Sequence, residues 1–364
     1  MLNQQLSDIK PFGITFNSGQ KATARVWHTA ATRVAIQVEG QAAPVDLIRA
    51  NNGYWEVETA YIRPGDLYSL LVDGERIYPD PASLVQPHGP YGPSEAVDLK
   101  NYYWEDGCWV NPDMDAYRLV DLDLGSCTAV GTFDEAIPRI RQLKKTGVTA
   151  VVISPTQPVS NAANLYDTSP IYSIQPKLGT PQQLQHLINA CHYEGVAVTI
   201  SLDYSLVCPT EANRQQVEHF QSRRLRTAWV DQTLRVDRSR SEASMLYALD
   251  NALMWFRDFH ADALRLSNVH ALPDSELFLN QLRNATDELT ASTNRQYYLL
   301  IDSDTTQPVI NCQYFHHLPE VEEKPAEPAT EASPNTLLPK PYRQAYVYNT
   351  RFASILKSLF NRRT

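Results

Sequence analysis

The residues best suited to chemistry lie in the stretch ADALRLSNVHA, residues 261–271. Residues 263–266 carry the apolar side chains that are typical of a buried strand. Three polar residues, Arg265, Ser267 and His270, cluster toward the end of that strand. In a parallel α/β barrel, the carboxyl end of each strand faces the substrate. The sequence therefore predicts that these three side chains contribute to a ligand site.

The N-terminal region is organised as short β segments. ATARVWH, TRVAIQVEG, GYWEVETA and LYSLLVDGERIY are each bounded by Gly, Asn, Asp or Pro. This pattern predicts a β-sandwich with hairpins. Asp73-Gly74 is the clearest turn signal, because this dipeptide favours tight hairpin turns.

From about residue 117 the pattern changes to alternating strands and helices, which predicts a parallel sheet with helical crossovers. Helices are predicted to begin at Thr132, where Glu135 completes a capping box, and at Thr180, which precedes Pro181. About five such units are present. The predicted strands cover residues 119–124, 149–153, 196–202, 263–266 and 297–301.

The C-terminal region has two biased segments. Residues 319–341 are rich in Glu, Pro and Ala, which predicts a disordered acidic linker. Residues 342–364 contain five basic and no acidic side chains, with an apolar stripe at helical spacing. A helix that docks back on the preceding region is one interpretation, and a helix that binds a protein partner or a membrane surface is the other.

Composition narrows the classes of function. The formal net charge of -9 argues against a nucleic-acid-binding protein, because phosphate contacts need concentrated Lys and Arg. The five scattered cysteines indicate reduced thiols, and with no export signal they predict a cytoplasmic protein. No apolar run is long enough for a membrane span. His316-His317 lacks a metal-site context, so we expect neither metal nor cofactor.

Two segments carry a resemblance to a known family. Residues 261–271 resemble the fourth-strand motif of the family 13 glycoside hydrolases, the α-amylase family, which reads roughly D-G-L-R-L-D-A-V-H-A in the trehalohydrolase branch. The segment YPDPASLVQPHGPYGPSEAVD, residues 78–98, is similar to P-D-P-A-S-x-x-Q-P-x-G-x-x-G-P-S of that branch. The resemblance implies an α/β protein with an immunoglobulin-like β-sandwich, residues 1–98, and a truncated or degenerate (β/α)8 TIM-type barrel, residues 99–318.

The resemblance also implies which positions are altered. Retaining glycosidases need two carboxylates about 5 Å apart, one as nucleophile and one as acid. Ser267 stands at the nucleophile position, and Asp302 best matches the acid position. The third-strand motif is reduced to DYSLVC, with Asp203 retained and Cys208 in place of a histidine. Asp123 likewise replaces a histidine at the first strand.

Several retained residues are substrate-binding candidates by the same resemblance: Tyr166, Asp167, Asp203, Arg265 and His270. Arg265, Asp203 and His270 also have a structural explanation. Arg265 and Asp203 could form a buried ion pair, and His270 could be a core histidine. Tyr166 and Asp167 could hold a sugar ring by stacking and a hydrogen bond.

Three hypotheses follow. The leading one is a pseudoenzyme of the α-amylase family, a non-catalytic protein that binds α-glucans or maltooligosaccharides or regulates another protein. The second is a residual trehalohydrolase-like glycoside hydrolase that uses the remaining carboxylates. The third is an interaction scaffold that binds a protein partner through residues 342–364.

Overall fold

The computed structural model describes residues 10–89, 92–124, 130–154, 171–203, 238–267, 269, 275–301 and 316–317. These residues form two antiparallel sheets followed by a parallel sheet with helices. The strands of the antiparallel sheets are β1 (Gly13–Phe16), β2 (Ala22–Trp27), β3 (Val34–Val38), β4 (Val45–Asp46), β5 (Ile48–Arg49), β6 (Tyr54–Thr59), β7 (Leu67–Val72), β8 (Arg76–Tyr78) and β9 (Ser94–Glu95). The strands of the parallel sheet are β10 (Leu119–Asp123), β11 (Ala150–Ser154), β12 (Ala197–Asp203), β13 (Ala263–Ser267), β14 (Tyr298–Ile301) and β15 (His316–His317). The α-helices are α1 (Phe133–Lys145), α2 (Pro181–Tyr193), α3 (Arg238–Arg257) and α4 (Ser275–Thr293).

The two antiparallel sheets share one apolar core. Their strand orders are β1-β2-β6-β5 and β4-β3-β7-β8, and β9 also pairs with β7. Alternate residues of β7 are buried, as expected for a strand with one face on a core. Phe16, Trp55 and Tyr68 are among the large side chains in that core. The β-rich N-terminal region predicted from the sequence is therefore present, and we call it the N-terminal module.

The hairpin between β7 and β8 turns where the sequence predicts it. Asp73 and Gly74 both have positive φ, 56° and 78°. The Asp73 carboxylate accepts hydrogen bonds from the backbone nitrogens of Thr32 and Arg33, at 2.8 and 3.1 Å. These bonds tie the turn to β3 and lower the pKa of Asp73 to about 2, although burial opposes the shift.

The parallel sheet has its strands in sequential order, β10 to β15. The five predicted strands are confirmed, with ends that differ from the prediction by no more than about two residues. The sequence did not predict β15, which pairs its two residues with Leu300 and Ile301. The linker predicted for residues 319–341 and the helix predicted for residues 342–364 lie outside the described residues.

The helices follow their predicted starts, but their caps differ. Thr180 and Gln183 form a capping box at α2. The capping box predicted for α1 is wrong: the Thr132 side chain makes no capping hydrogen bond, and Glu135 accepts from the backbone nitrogen of Val130 at 2.8 Å instead. Within the described ranges, no helix is long and apolar enough to cross a membrane.

The N-terminal module packs directly against α3. The backbone nitrogen of Phe12 donates to Asp250 Oδ2 at 2.9 Å, across 238 positions of sequence. The Tyr247 hydroxyl donates to the carbonyl of Pro81. The rings of Phe12 and Tyr247 meet edge to face at 5.6 Å. Apolar and polar contacts therefore join the module to the parallel sheet through the same helix.

Candidate active site

Strand alternation divides the parallel sheet into two faces. Leu122, Ile200 and Leu264 pack into the large apolar core that also contains the helix side chains. The residues between them face the other way, because successive side chains of a strand point to opposite faces. On that second face, small and aliphatic residues occupy the amino-terminal half, including Ala150, Ala197 and others in a separate cluster. The carboxyl-terminal half carries polar residues on β10, β12 and β13, beside Val152 of β11 and Leu300 of β14.

The polar half of this face brings together residues from three strands. Asp121 and Asp123 lie on β10, Ser201 and Asp203 on β12, and Arg265 and Ser267 on β13. In register, Ser201 pairs with Arg265 and Asp203 pairs with Ser267. The predicted strand end therefore lies beside the predicted third-strand aspartate, at the edge where parallel α/β folds place their ligands.

Arg265 has a partner that the sequence did not suggest. Its Nη1 lies 3.2 Å from Asp121 Oδ1, and both side chains are largely buried, with 19% and 16% of their surface exposed. The pairing of Arg265 with Asp203 stays a prediction, and the structure adds the ion pair between Arg265 and Asp121. Period-two alternation contained the signal: Asp121 precedes the noted Asp123 by two residues and shares its face.

Thr199 adds a buried hydroxyl to the same face. Its side chain is fully buried, and among the described residues its Oγ1 has no hydrogen-bond partner. It lies next to Ala263 in register, one step below Arg265. A buried hydroxyl of this kind is usually satisfied by a water or a ligand. Thr199 therefore marks polar space beneath the Arg265–Asp121 pair.

The remaining candidates divide as follows. Ser267 is half-buried at the end of β13. Tyr166, Asp167, His270 and Asp302 lie outside the described residues. Of the predicted set, Arg265, Ser267 and the backbone of Asp203 lie at the carboxyl ends of β12 and β13, and their part in a site stays a prediction.

What this face can do chemically follows from its groups. Carboxylates accept and guanidinium groups donate, so together they can hold neutral hydroxyl groups in fixed positions. A serine hydroxyl carries no charge and cannot stabilise a cationic centre as a carboxylate does. The described residues therefore favour binding of a polyhydroxylated compound.

A second buried polar cluster lies at the amino-terminal ends of the strands. His192 Nδ1 is 3.0 Å from Asp106 Oδ2, and His192 Nε2 is 2.9 Å from Asp262 Oδ2. Asp106 also binds His260 at 2.8 Å and Arg295 at 2.9 Å. We call these five residues the basal network. Sequence analysis did not identify it, because its members are far apart in the chain.

The basal network shifts the pKa of His192 and of Asp106. Burial lowers the pKa of His192, but the carboxylates of Asp262 and Asp106 outweigh it, so the pKa is raised above its ordinary value. Burial raises the pKa of Asp106, but hydrogen bonds from His192, His260 and Arg295 hold it well below its usual range. The indole of Trp109 stacks on His192 and donates to Asp262 at 2.7 Å. Because this end of the strands lies opposite the carboxyl ends that carry ligand sites in parallel α/β folds, we expect the basal network to contribute to stability.

Comparison with known proteins agrees with this layout. Residues 109–205 match the family model described as alpha amylase, catalytic domain. A malto-oligosyltrehalose trehalohydrolase of Arthrobacter ramosus is 32% identical over 288 residues, covering 78% of this chain and 50% of the relative. Another, of Saccharolobus solfataricus, is 27% identical over 321 residues, covering 84% and 54%. The chain spans about half the length of these curated relatives.

Solved structures share the fold. A pullulanase of Paenibacillus barengoltzii, crystallised with maltohexaose and alpha-cyclodextrin, has a TM-score of 0.60 at 16% identity and covers 83% of this chain and 55% of that one. A pullulanase of an Anoxybacillus species, in complex with maltotriose, has a TM-score of 0.58 at 17% identity, with 80% and 48% covered. At these identities the likeness concerns architecture alone.

Proposed function

Because the chain is related to the family 13 glycoside hydrolases, the α-amylase family, we propose that it binds α-glucans at the carboxyl ends of β10, β12 and β13 without hydrolysing them by the family's retaining mechanism. The observation that carries the proposal is Ser267 at the end of β13. It stands where the resemblance expects a nucleophilic carboxylate, beside Asp203 in register.

The physical argument concerns charge. The transition state of glycoside cleavage has oxocarbenium character, and a carboxylate stabilises it by charge and by covalent capture. A neutral hydroxyl supplies neither. The ground-state sugar, by contrast, needs only hydrogen-bond donors and acceptors, and the Arg265–Asp121 pair supplies both. Loss of the carboxylate therefore removes catalysis while leaving groups that bind.

A second candidate is a glycoside hydrolase with a changed arrangement of acids. Asp121 and Asp123 favour it, because they place two carboxylates on the same face as Ser267. The related trehalohydrolases also favour it, since they are enzymes. In this reading one of these aspartates acts as the acid or base for a water molecule.

The test is titration calorimetry of the purified chain with maltooligosaccharides, with sugar products measured in the same samples. Malto-oligosyltrehalose is included as the substrate named by the relatives. Binding without products supports the first proposal. Products whose formation is lost in Asp123→Asn support the second.

Two substitutions test whether the glucan binds at β13. Arg265→Met is expected to weaken binding about tenfold or more, because it removes a charged donor. Arg283→Met is the matched control, since Arg283 pairs with Asp287 on the exposed face of α4. Equal affinity of both variants would contradict a glucan site at β13.

A further inference from the structure

A cleft lies between the N-terminal module and α3, away from the carboxyl ends of the parallel strands. It is lined by residues of the module and its following segment, including Phe12, Leu84 and Lys100, and by Asp250 and Arg257 of α3. Its volume is about 50 Å³, room for roughly three water molecules by the usual measure. Lys100 is exposed and Arg257 is partly exposed, so the cleft opens to solvent.

The inner end of the cleft holds a carboxylate oxygen that can accept a further hydrogen bond. The Asp250 side chain is 1% exposed. Its Oδ2 accepts from the Phe12 nitrogen at 2.9 Å and from the Tyr172 hydroxyl at 2.8 Å. Its Oδ1 has no hydrogen-bond partner in the described part of the chain. A buried carboxylate oxygen that accepts no hydrogen bond lowers the stability of the fold. Binding of a ligand that donates a hydrogen bond to it is therefore favoured.

Arg257 supplies the complementary group. Its Nη1 lies 3.7 Å from Asp250 Oδ1, beyond hydrogen-bond distance. The same guanidinium is held by Asp258, whose Oδ2 accepts from Nε at 3.0 Å and from Nη2 at 2.7 Å. Nε and Nη2 are thus engaged by Asp258, while Nη1 is the guanidinium nitrogen beside Asp250 Oδ1. A donor and an acceptor at this separation match two neighbouring hydroxyl groups of one molecule.

Charge and size narrow the ligand class. The acidic and basic side chains that line the cleft are Glu95, Asp98, Asp250, Asp258, Lys100 and Arg257. Four carboxylates against two bases disfavour an anion, and the guanidinium next to Asp250 disfavours a cation at Oδ1. The small volume admits the edge of a sugar ring rather than a whole sugar.

From these observations we infer that the cleft between the N-terminal module and α3 is a second carbohydrate site, which takes a vicinal diol of a neutral sugar. One hydroxyl donates to Asp250 Oδ1 and its neighbour accepts from Arg257 Nη1. The apolar side chains of Phe12 and Leu84 border the C–H face of the ring. This site is separate from the one proposed at β13, and neither depends on the other.

The test measures maltose binding by titration calorimetry in an Arg265→Met background, in which the site at β13 is weakened. Arg257→Met is expected to reduce the affinity of the remaining site at least tenfold. The matched control is Arg141→Met, because Arg141 also pairs with a carboxylate, that of Glu194 at 2.7 Å, but on α1. Per-O-methylated maltose, which lacks donors, is expected not to bind.

A second variant separates binding from folding. Thr15→Trp fills the cleft from β1 while leaving Asp250 and Arg257 intact, and should also abolish binding. Thermal unfolding of each variant checks that the chain is folded. The inference is overturned if the Arg265→Met chain does not bind maltose, if Arg257→Met binds it unchanged, or if a crystal soaked in maltose shows only ordered water beside Asp250. Loss of the β13 site alone leaves these results unaffected.

Discussion

At the scale of single residues, the Arg265–Asp121 pair dominates the polar face of the parallel sheet. Both side chains are mostly removed from solvent, so each is poorly screened. Removing one partner takes this ion pair away from a side chain that stays largely buried. The two residues should therefore be energetically coupled, although they lie on strands that are not neighbours.

A double-mutant cycle with Asp121→Asn and Arg265→Met measures this coupling. We expect an interaction free energy of roughly 0.5–3 kcal/mol, the range for residues in contact. Urea unfolding of the four proteins gives the value. Strict additivity would show that the pair contributes nothing beyond its separate side chains.

The basal network predicts how stability depends on pH. The folded-state pKa of His192 lies above the unfolded value of 6.5. Its stabilisation is therefore fully present below pH 6.5 and is lost as the pH rises through the folded pKa. The groups that face it are Asp106, Asp262 and Trp109, with His260 and Arg295 bound to the same Asp106.

The stability contribution of Asp106 depends on pH with the opposite sign. Its pKa is lowered from 3.8, so its contribution is present above that value and is lost as the pH falls. The free energy of unfolding should therefore be highest at mildly acidic pH. His192→Gln is expected to flatten the alkaline decline, as measured by urea unfolding between pH 5 and 9. An unchanged alkaline slope would assign the decline to other groups.

At the scale of elements, the two helix caps offer a matched comparison. Thr180 caps α2, with its Oγ1 accepting from the Gln183 nitrogen at 3.2 Å. Thr132 precedes α1 without such a bond. Thr180→Ala should cost about 1 kcal/mol of stability, and Thr132→Ala only a few tenths. Thermal unfolding of both variants checks the difference, and equal losses would mean that the cap geometry does not matter.

These caps also show how far sequence reasoning reaches. Both helices begin with Thr followed three residues later by Glu or Gln, the capping-box pattern, but the sequence analysis predicted a capping box only at Thr132. The structure differs at α1 because Glu135 reaches the backbone nitrogen of Val130. The five longer parallel strands were predictable because each has an apolar run. β15 was not, because His316–His317 has no such pattern.

The candidate site was also predictable only in part. Arg265, Ser267 and Asp203 were found because they follow apolar strands or match a motif. Asp121 was missed because its role depends on a strand three places away in the sheet. The basal network was missed for a stronger reason: Asp106 and Arg295 are separated by 189 positions. Closure of the parallel sheet into a barrel and the immunoglobulin-like assignment stay predictions.

At the scale of the whole molecule, the contact between the N-terminal module and α3 predicts cooperative unfolding. Asp250 accepts hydrogen bonds from Phe12 on one side and Tyr172 on the other, and it is buried. Asp250→Ala should lower the free energy of unfolding by at least about 2 kcal/mol, because two buried donors lose their acceptor. It should also let the module and the parallel sheet unfold separately.

Hydrogen exchange at β7 and β11 measures this. In the unaltered chain we expect both strands to lose protection at the same urea concentration, whereas in Asp250→Ala their midpoints should differ. Asp287→Ala is the control, since that carboxylate is exposed on α4. Separate midpoints in the unaltered chain would show that the module is an independent folding unit.

The 238-position separation between Phe12 and Asp250 also has a consequence during synthesis. The core of the N-terminal module draws on residues 16–96 and can form early on the ribosome. Phe12 must then wait for its acceptor while translation continues at roughly 5–20 residues per second. Between completion of the module core at Ala96 and synthesis of Asp250, the growing chain thus carries an open module surface for roughly 8–30 s. In that interval α3 has not yet been made, so this surface of the module stays uncovered.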